Sequence, residues 1–158
     1  MKARIVYDSV FGNTEKVAQA MGDALASRMD AAVVKVGEID PDQVTDAQIL
    51  IVGSPTRAFS PTPNTRSFLK QIPGNGLEGV KVAAFDTRVS LDDVDSAILN
   101  VFVKLFGYAA KPIAKRLQRR GGNLVLEPEG FIVNGTEGPM KEGELERAAA
   151  WARQVADV

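Results

Sequence analysis

Val6-Tyr7-Asp8-Ser9-Val10-Phe11-Gly12-Asn13-Thr14-Glu15-Lys16-Val17-Ala18 passes from an apolar run, through a turn of glycine and hydroxyl residues, into a helical pattern. Residues 3–7 read as a buried strand. Over residues 13–28, Val17, Ala18, Met21, Ala24 and Leu25 fall on one helical face. The turn between the two suits an anion. A helix N-terminus offers free backbone N–H groups and the positive end of its dipole. Ser9 and Thr14 can add hydroxyls and Asn13 an amide, and Gly12 lets the backbone come close. The loop has neither the lysine of G-x-x-x-x-G-K-[ST] nor the glycines of G-x-G-x-x-G. It therefore suits a monophosphate better than a pyrophosphate or triphosphate. The same residues also read as plain turn and N-cap residues.

Working outward, strands alternate with helices. Residues 32–36, 49–52 and 80–85 read as strands, the third strand ending at Gly53. Residues 65–72 read as a helix that stops at Pro73-Gly74. Residues 97–106 and 112–119 read as helical, parted by Gly107, with Pro112 suited to a first turn. Residues 124–133 are extended, interrupted by Pro128-Glu129-Gly130, and residues 142–155 form a closing helix. Near-continuous apolar strands alternating with helices predict one doubly wound α/β domain over residues 1–158. The expected sheet is parallel, five-stranded, in the order 2-1-3-4-5, with helices on both faces. A ligand then sits beyond the carboxyl ends of strands one and three. The two loops richest in glycine, proline and hydroxyls fall there.

The totals exclude several kinds of chemistry. The chain has 158 residues, no cysteine and no histidine. Thiolate nucleophiles, iron–sulfur ligation, Cys/His zinc sites and Ser-His-Asp catalysis are therefore impossible. Redox chemistry would need a bound organic cofactor. A net charge of -1 argues against a nucleic acid or an anionic membrane as a dominant partner. No stretch resembles a signal-peptide core or a membrane span, which points to the cytoplasm.

The opening stretch resembles the phosphate loop and first helix of the flavodoxin family. It is closest to the variant in the flavodoxin domains of flavodiiron proteins. The resemblance covers essentially the whole chain and implies FMN as cofactor. It places Ser9, Val10, Phe11, Gly12, Asn13 and Thr14 at the phosphate. The family often has a hydroxyl residue where Phe11 stands; the change removes one side-chain donor and leaves the backbone donors. Gly53-Ser54-Pro55-Thr56-Arg57-Ala58-Phe59 matches the family loop that lies against the isoalloxazine ring. Pro55, Thr56, Arg57, Ala58 and Phe59 are the implied contacts. Phe59 either stacks on the ring or folds into the core; Arg57 lies beside the ring or in solvent. Phe85-Asp86-Thr87-Arg88-Val89 is read as the third loop, which contacts the ring edge. It lacks the aromatic residue common in the family. Asp86 would disfavour an anionic reduced flavin and Arg88 would favour it, unless the two simply pair.

Residues 90–106 read as a core helix, as a lid over the flavin, or as a surface through which the chain forms a homodimer. Lys111, Lys115, Arg116, Arg119 and Arg120 crowd toward a helix end. Complementing the helix dipole accounts for them, with partner docking as the alternative. Trp151 reads as a core anchor on the last helix. The implied function is an FMN-binding electron-transfer protein that serves redox partner proteins. Two other readings stand beside it. One is a small FMN-dependent NAD(P)H or quinone reductase, with Arg57, Arg66 and Arg88 orienting an anionic substrate. The other is a binding or regulatory domain that has lost flavin.

Overall fold

Strand β1 (Lys2–Tyr7) lies between β2 (Asp30–Lys35) and β3 (Ile49–Pro55) in a computed structural model that describes residues 1–89 and 107–158. Strand β4 (Lys81–Val89) follows beside β3, and β5 (Asn123–Leu124) and β6 (Glu129–Val133) both pair with β4. Every pairing is parallel, and the order β2-β1-β3-β4-β5 is the expected one. The fifth position is occupied by two short strands rather than one. Leu124 faces Val82 and Glu129 faces Phe85, so residues 125–128 lie opposite Ala83 and Ala84 alone. The interruption thus falls over 125–128, and Glu129 and Gly130 belong to the strand that follows.

Alternation along each strand sorts the side chains onto two faces. Ile5, Ile51 and Phe85 point to one face, where α1 (Asn13–Ala26) packs with Val17, Met21 and Leu25. Val6, Leu50, Val52 and Val82 point to the other, which α2 (Pro63–Gln71) and α3 (Ala110–Arg119) cover through Phe68, Leu69, Ile113 and Leu117. The closing helix α4 (Glu144–Asp157) joins α1 on the first face. Its Trp151 meets Phe85 and Phe131 edge-on, with ring centroids 6.4 and 6.0 Å away, and is the expected core anchor. Gly53 is required by this packing: a Cβ there would overlap the Phe85 ring.

Several boundaries differ from the sequence reading. Strand β2 starts at Asp30 because Asp30 and Ala31 pair with Lys2 and Ala3. Helix α1 stops at Ala26, before the expected end. Strands β3 and β4 run on beyond Gly53 and Phe85, since Ser54 and Pro55 pair with Asp86 and Thr87 and β6 flanks β4 on its other side. Asp86, Thr87 and Arg88 are therefore strand residues, not a loop. Pro112 sits in the first turn of α3, as its fixed φ favours. The helix expected over 97–106, and the lid or dimer surface expected over 90–106, lie outside the described residues. Among the described residues no helix is long and apolar enough to cross a membrane.

Candidate functional site

The first loop is held by a chain of short hydrogen bonds that starts at the end of β1. Asp8 is buried, and its backbone N–H donates to the Gly53 carbonyl over 3.1 Å. Its Oδ1 accepts the Ser9 N–H at 2.9 Å, and the Ser9 Oγ accepts the Gly12 N–H at 3.0 Å. The loop then enters α1 through Gly12 at φ 91°, a left-handed conformation that favours glycine. A Cβ on Gly12 would meet nothing within 4 Å, so the requirement is conformational and not one of space. Among the described residues no side chain caps α1. The first N–H groups of a helix have no partner within it, so here they face the loop with the dipole's positive end behind them. Tyr7 fixes the other side of the turn by donating its hydroxyl to Glu15 Oε1 at 2.9 Å. Burial, with help from that acceptor, pushes the Tyr7 hydroxyl up to about 12.

Two side chains expected to serve a ligand are engaged within the protein. Asn13 donates its Nδ2 to the Glu137 carbonyl at 3.1 Å. The Thr14 Oγ1 lies 2.8 Å from the Thr87 Oγ1, with both residues buried. An anion in this loop would be held mainly by backbone N–H groups, with the remaining hydroxyl hydrogens in support.

The second loop closes on itself. Arg57 N–H donates to the Ser60 carbonyl at 2.8 Å, and Ser60 N–H returns the bond at 3.0 Å. The central residues Ala58 and Phe59 have φ values of 49° and 67°. This is a type I′ turn built without glycine. Each left-handed non-glycine residue costs on the order of 1–3 kcal/mol, and such strain collects at functional sites. The turn is anchored at both ends. Thr56 N–H donates to the Thr87 carbonyl, and Thr62 donates its hydroxyl to Asp8 Oδ2 at 2.6 Å while capping α2 through the Thr65 N–H.

Strand alternation sends Asp86 and Arg88 to the face of α2 and α3, and Thr87 toward Thr14. Asp86 is fully buried. It accepts Arg88 Nε at 2.6 Å and Nη2 at 2.7 Å, and its Oδ2 also accepts the Ala110 N–H at 2.9 Å. Burial pushes the Asp86 carboxyl above the usual range, against the opposing pull of Arg88 and the Ala110 N–H. The Arg88 guanidinium carbon lies 3.6 Å from the centre of the Tyr108 ring. An aromatic side chain does reach the end of β4, but Tyr108 brings it from beyond residue 106 and sets it on Arg88. Only its place in the fold, not its place in the chain, could have shown this.

These elements surround an open cleft of about 270 Å³. That is just below the usual range for small-molecule sites. The first loop contributes Ser9, Val10, Phe11, Asn13 and Thr14, and the second contributes Pro55, Thr56, Arg57 and Ala58. Strand β4 adds Thr87, Arg88 and Val89. Three expected residues are not in the lining. Gly12 and Phe59 are half-buried in their loops, and Asp86 is inside the protein. Gly135 and Thr136, in the turn after β6, line the cleft and were not expected. Their signal was topological, because they follow the carboxyl end of the strand beside β4. Val10 and Phe11 leave about half their surface exposed at the rim. Among the described residues no group of carboxylates is placed to hold a metal. Among the described residues the cleft lining offers hydroxyls, an amide, two arginines and apolar side chains, and no carboxylate.

Comparison with known proteins agrees with this geometry. The flavodoxin family model matches residues 5–151. A comparison with curated protein sequences finds no match. Among solved structures, oxidised flavodoxin 1 from Bacillus cereus superposes with a TM-score of 0.78 at 16% identity, covering 99% of this chain and 98% of that one. Oxidised flavodoxin 2 from Bacillus cereus gives 0.74 at 23% identity, with 99% of each chain covered. The flavodiiron protein from Giardia intestinalis gives 0.67 at 19% identity, covering 99% of this chain and 36% of that one. The structures establish a shared fold, and the family match over nearly the whole length establishes kinship: the chain belongs to the flavodoxin family.

Proposed function

We propose that this chain is an FMN-binding electron carrier of the flavodoxin type. The observation that carries the reading is the uncapped start of α1 behind the curled loop 8–12. It presents backbone donors, a helix dipole and a left-handed glycine at one point, which suits a monophosphate. FMN would supply the electron chemistry that this cysteine- and histidine-free chain lacks. The chain's own residues bind and orient. The first loop holds the phosphate, the strained 57–60 turn and β4 bracket the remainder of the ligand, and Val10 and Phe11 leave an apolar rim for a redox partner.

The reductase reading has less behind it. Of the three arginines offered for an anionic substrate, Arg66 lies on α2 outside the cleft. Arg88 lines the cleft but its charge is matched by Asp86. Arg57 alone stays exposed there. The test is the visible spectrum of the protein supplied with FMN, followed by stepwise reduction. A carrier takes up stoichiometric flavin, and its half-reduced form accumulates. A colourless protein that takes up no FMN overturns the reading. Rapid oxidation of a nicotinamide cofactor by the loaded protein alone would favour the reductase.

A further inference from the structure

The net charge of -1 hides a local concentration of positive charge on two adjoining helices. Helix α2 carries Arg66 and Lys70 and no acid. Helix α3, packed beside it, carries Lys111, Lys115, Arg116 and Arg119 and no acid, and Arg120 follows at once. Among the described residues none of these cations takes part in an ion pair. The opposite face differs. Helices α1 and α4 mix the two signs, with Glu15, Asp23, Glu144, Glu146 and Asp157 beside Lys16, Arg147 and Arg153, and Arg147 is paired with Glu129 and Glu144.

Helix stability does not explain the basic face. A dipole accounts for Arg116 and Arg119 in the last turn of α3, and for Lys70 in that of α2. It opposes Lys111, which sits in the first turn of α3 with no acid in that turn. Nor do the cations support the core, since Arg66, Lys70, Lys111, Lys115 and Arg119 are exposed. Arg120 alone has a visible structural role, donating to the Lys70 carbonyl and joining the two helices. The face also adjoins the cleft. At the start of α3 the Ala109 N–H donates to Thr56 Oγ1 and the Ala110 N–H to Asp86.

We infer that the α2–α3 face is the docking surface for an acidic redox protein, which would sit on these helices with its edge at the cleft. Like-signed charge that is unpaired, exposed and continuous with the site steers an oppositely charged partner and raises its rate of encounter. The nature of the partner rests on the electron-carrier reading; the surface itself does not.

The test uses a plant-type [2Fe–2S] ferredoxin, a strongly acidic one-electron protein, as probe, and horse cytochrome c, a basic one, as control. Binding is read by calorimetry across a salt series, with and without FMN. The wild-type chain should bind ferredoxin and not cytochrome c, with affinity falling roughly tenfold from low to physiological salt. Lys70→Glu/Lys115→Glu/Arg119→Glu should abolish ferredoxin binding and create affinity for cytochrome c. If that variant folds poorly, Lys70→Gln/Lys115→Gln/Arg119→Gln should still flatten the salt dependence. Ferredoxin affinity unchanged in both variants overturns the inference. So does preference for transfer RNA or for phosphatidylserine vesicles over ferredoxin. Titration of FMN into the same samples separates the two claims. Ferredoxin binding without flavin uptake keeps the surface and removes the carrier, and the reverse removes only the surface.

Discussion

The Asp8 carboxylate joins the two loops of the cleft: its Oδ1 accepts the Ser9 N–H at 2.9 Å and its Oδ2 accepts the Thr62 hydroxyl at 2.6 Å. One buried side chain thereby sets the entry to the first loop and the exit from the second. Asp8→Ala should lower stability by about 2 kcal/mol, the scale of hydrogen bonds to a charged group. It should also weaken FMN binding by roughly tenfold, about 1.4 kcal/mol. Urea denaturation and flavin titration read the two effects. A loss of stability with unchanged affinity would detach Asp8 from the site.

Gly12 and Thr14 should matter more to FMN than Phe59 does. Gly12→Val forces a β-branched residue to φ 91° and misaligns the donors behind it. Thr14→Ala breaks the 2.8 Å contact with Thr87. Phe59 is outside the cleft lining, so Phe59→Ala should change affinity least. Fluorescence titration of the three variants ranks them, and a ranking led by Phe59 would move the binding energy away from the first loop.

Asp86 and Arg88 should behave as a unit. Arg88→Gln leaves a fully buried carboxylate with, among the described residues, the Ala110 N–H alone, and should cost about 2–3 kcal/mol. That is below the range for wholly buried pairs because Arg88 keeps about a fifth of its side chain exposed. Asp86→Asn/Arg88→Gln removes the orphaned charge and should recover most of the loss. Denaturant midpoints compare the variants, and a double variant no better than the single one would refute the coupling.

Glu144 should contribute to the acid limit of the fold. Arg147 above all, and then the Ile132 N–H, hold its carboxyl below the usual range. A carboxyl lowered in the folded state stabilises fully above its unfolded pKa, and the benefit is lost as pH falls through the folded value. Glu144→Gln should therefore lower the melting temperature near neutral pH and leave it little changed in strong acid. Melting curves across that range give the answer, and an equal loss at every pH would rule out the linkage.

Much of this was legible in the chain. The apolar runs and the helical face of Val17, Met21 and Leu25 suffice for the parallel order, because both sheet faces must be covered. The first loop was readable because its chemistry is local, with donor, glycine and helix start within seven residues of one another. The reading weakened where contacts are long-range. The extension of β4 through Arg88 depends on β6, some forty residues away. Tyr108 on Arg88 and Thr136 in the cleft depend on the topology, as does the bond from Asn13 Nδ2 to the Glu137 carbonyl. The near-neutral total also concealed the basic face, since a sum carries no information about placement.

The central claim is that loop 8–14 grips a monophosphate. Parallel titration of the protein with FMN and with riboflavin, which differ only in that phosphate, tests it most directly. FMN should bind at least a hundredfold more tightly than riboflavin, a difference of about 2.7 kcal/mol, and inorganic phosphate should narrow the gap. Equal affinities for the two flavins would contradict the account.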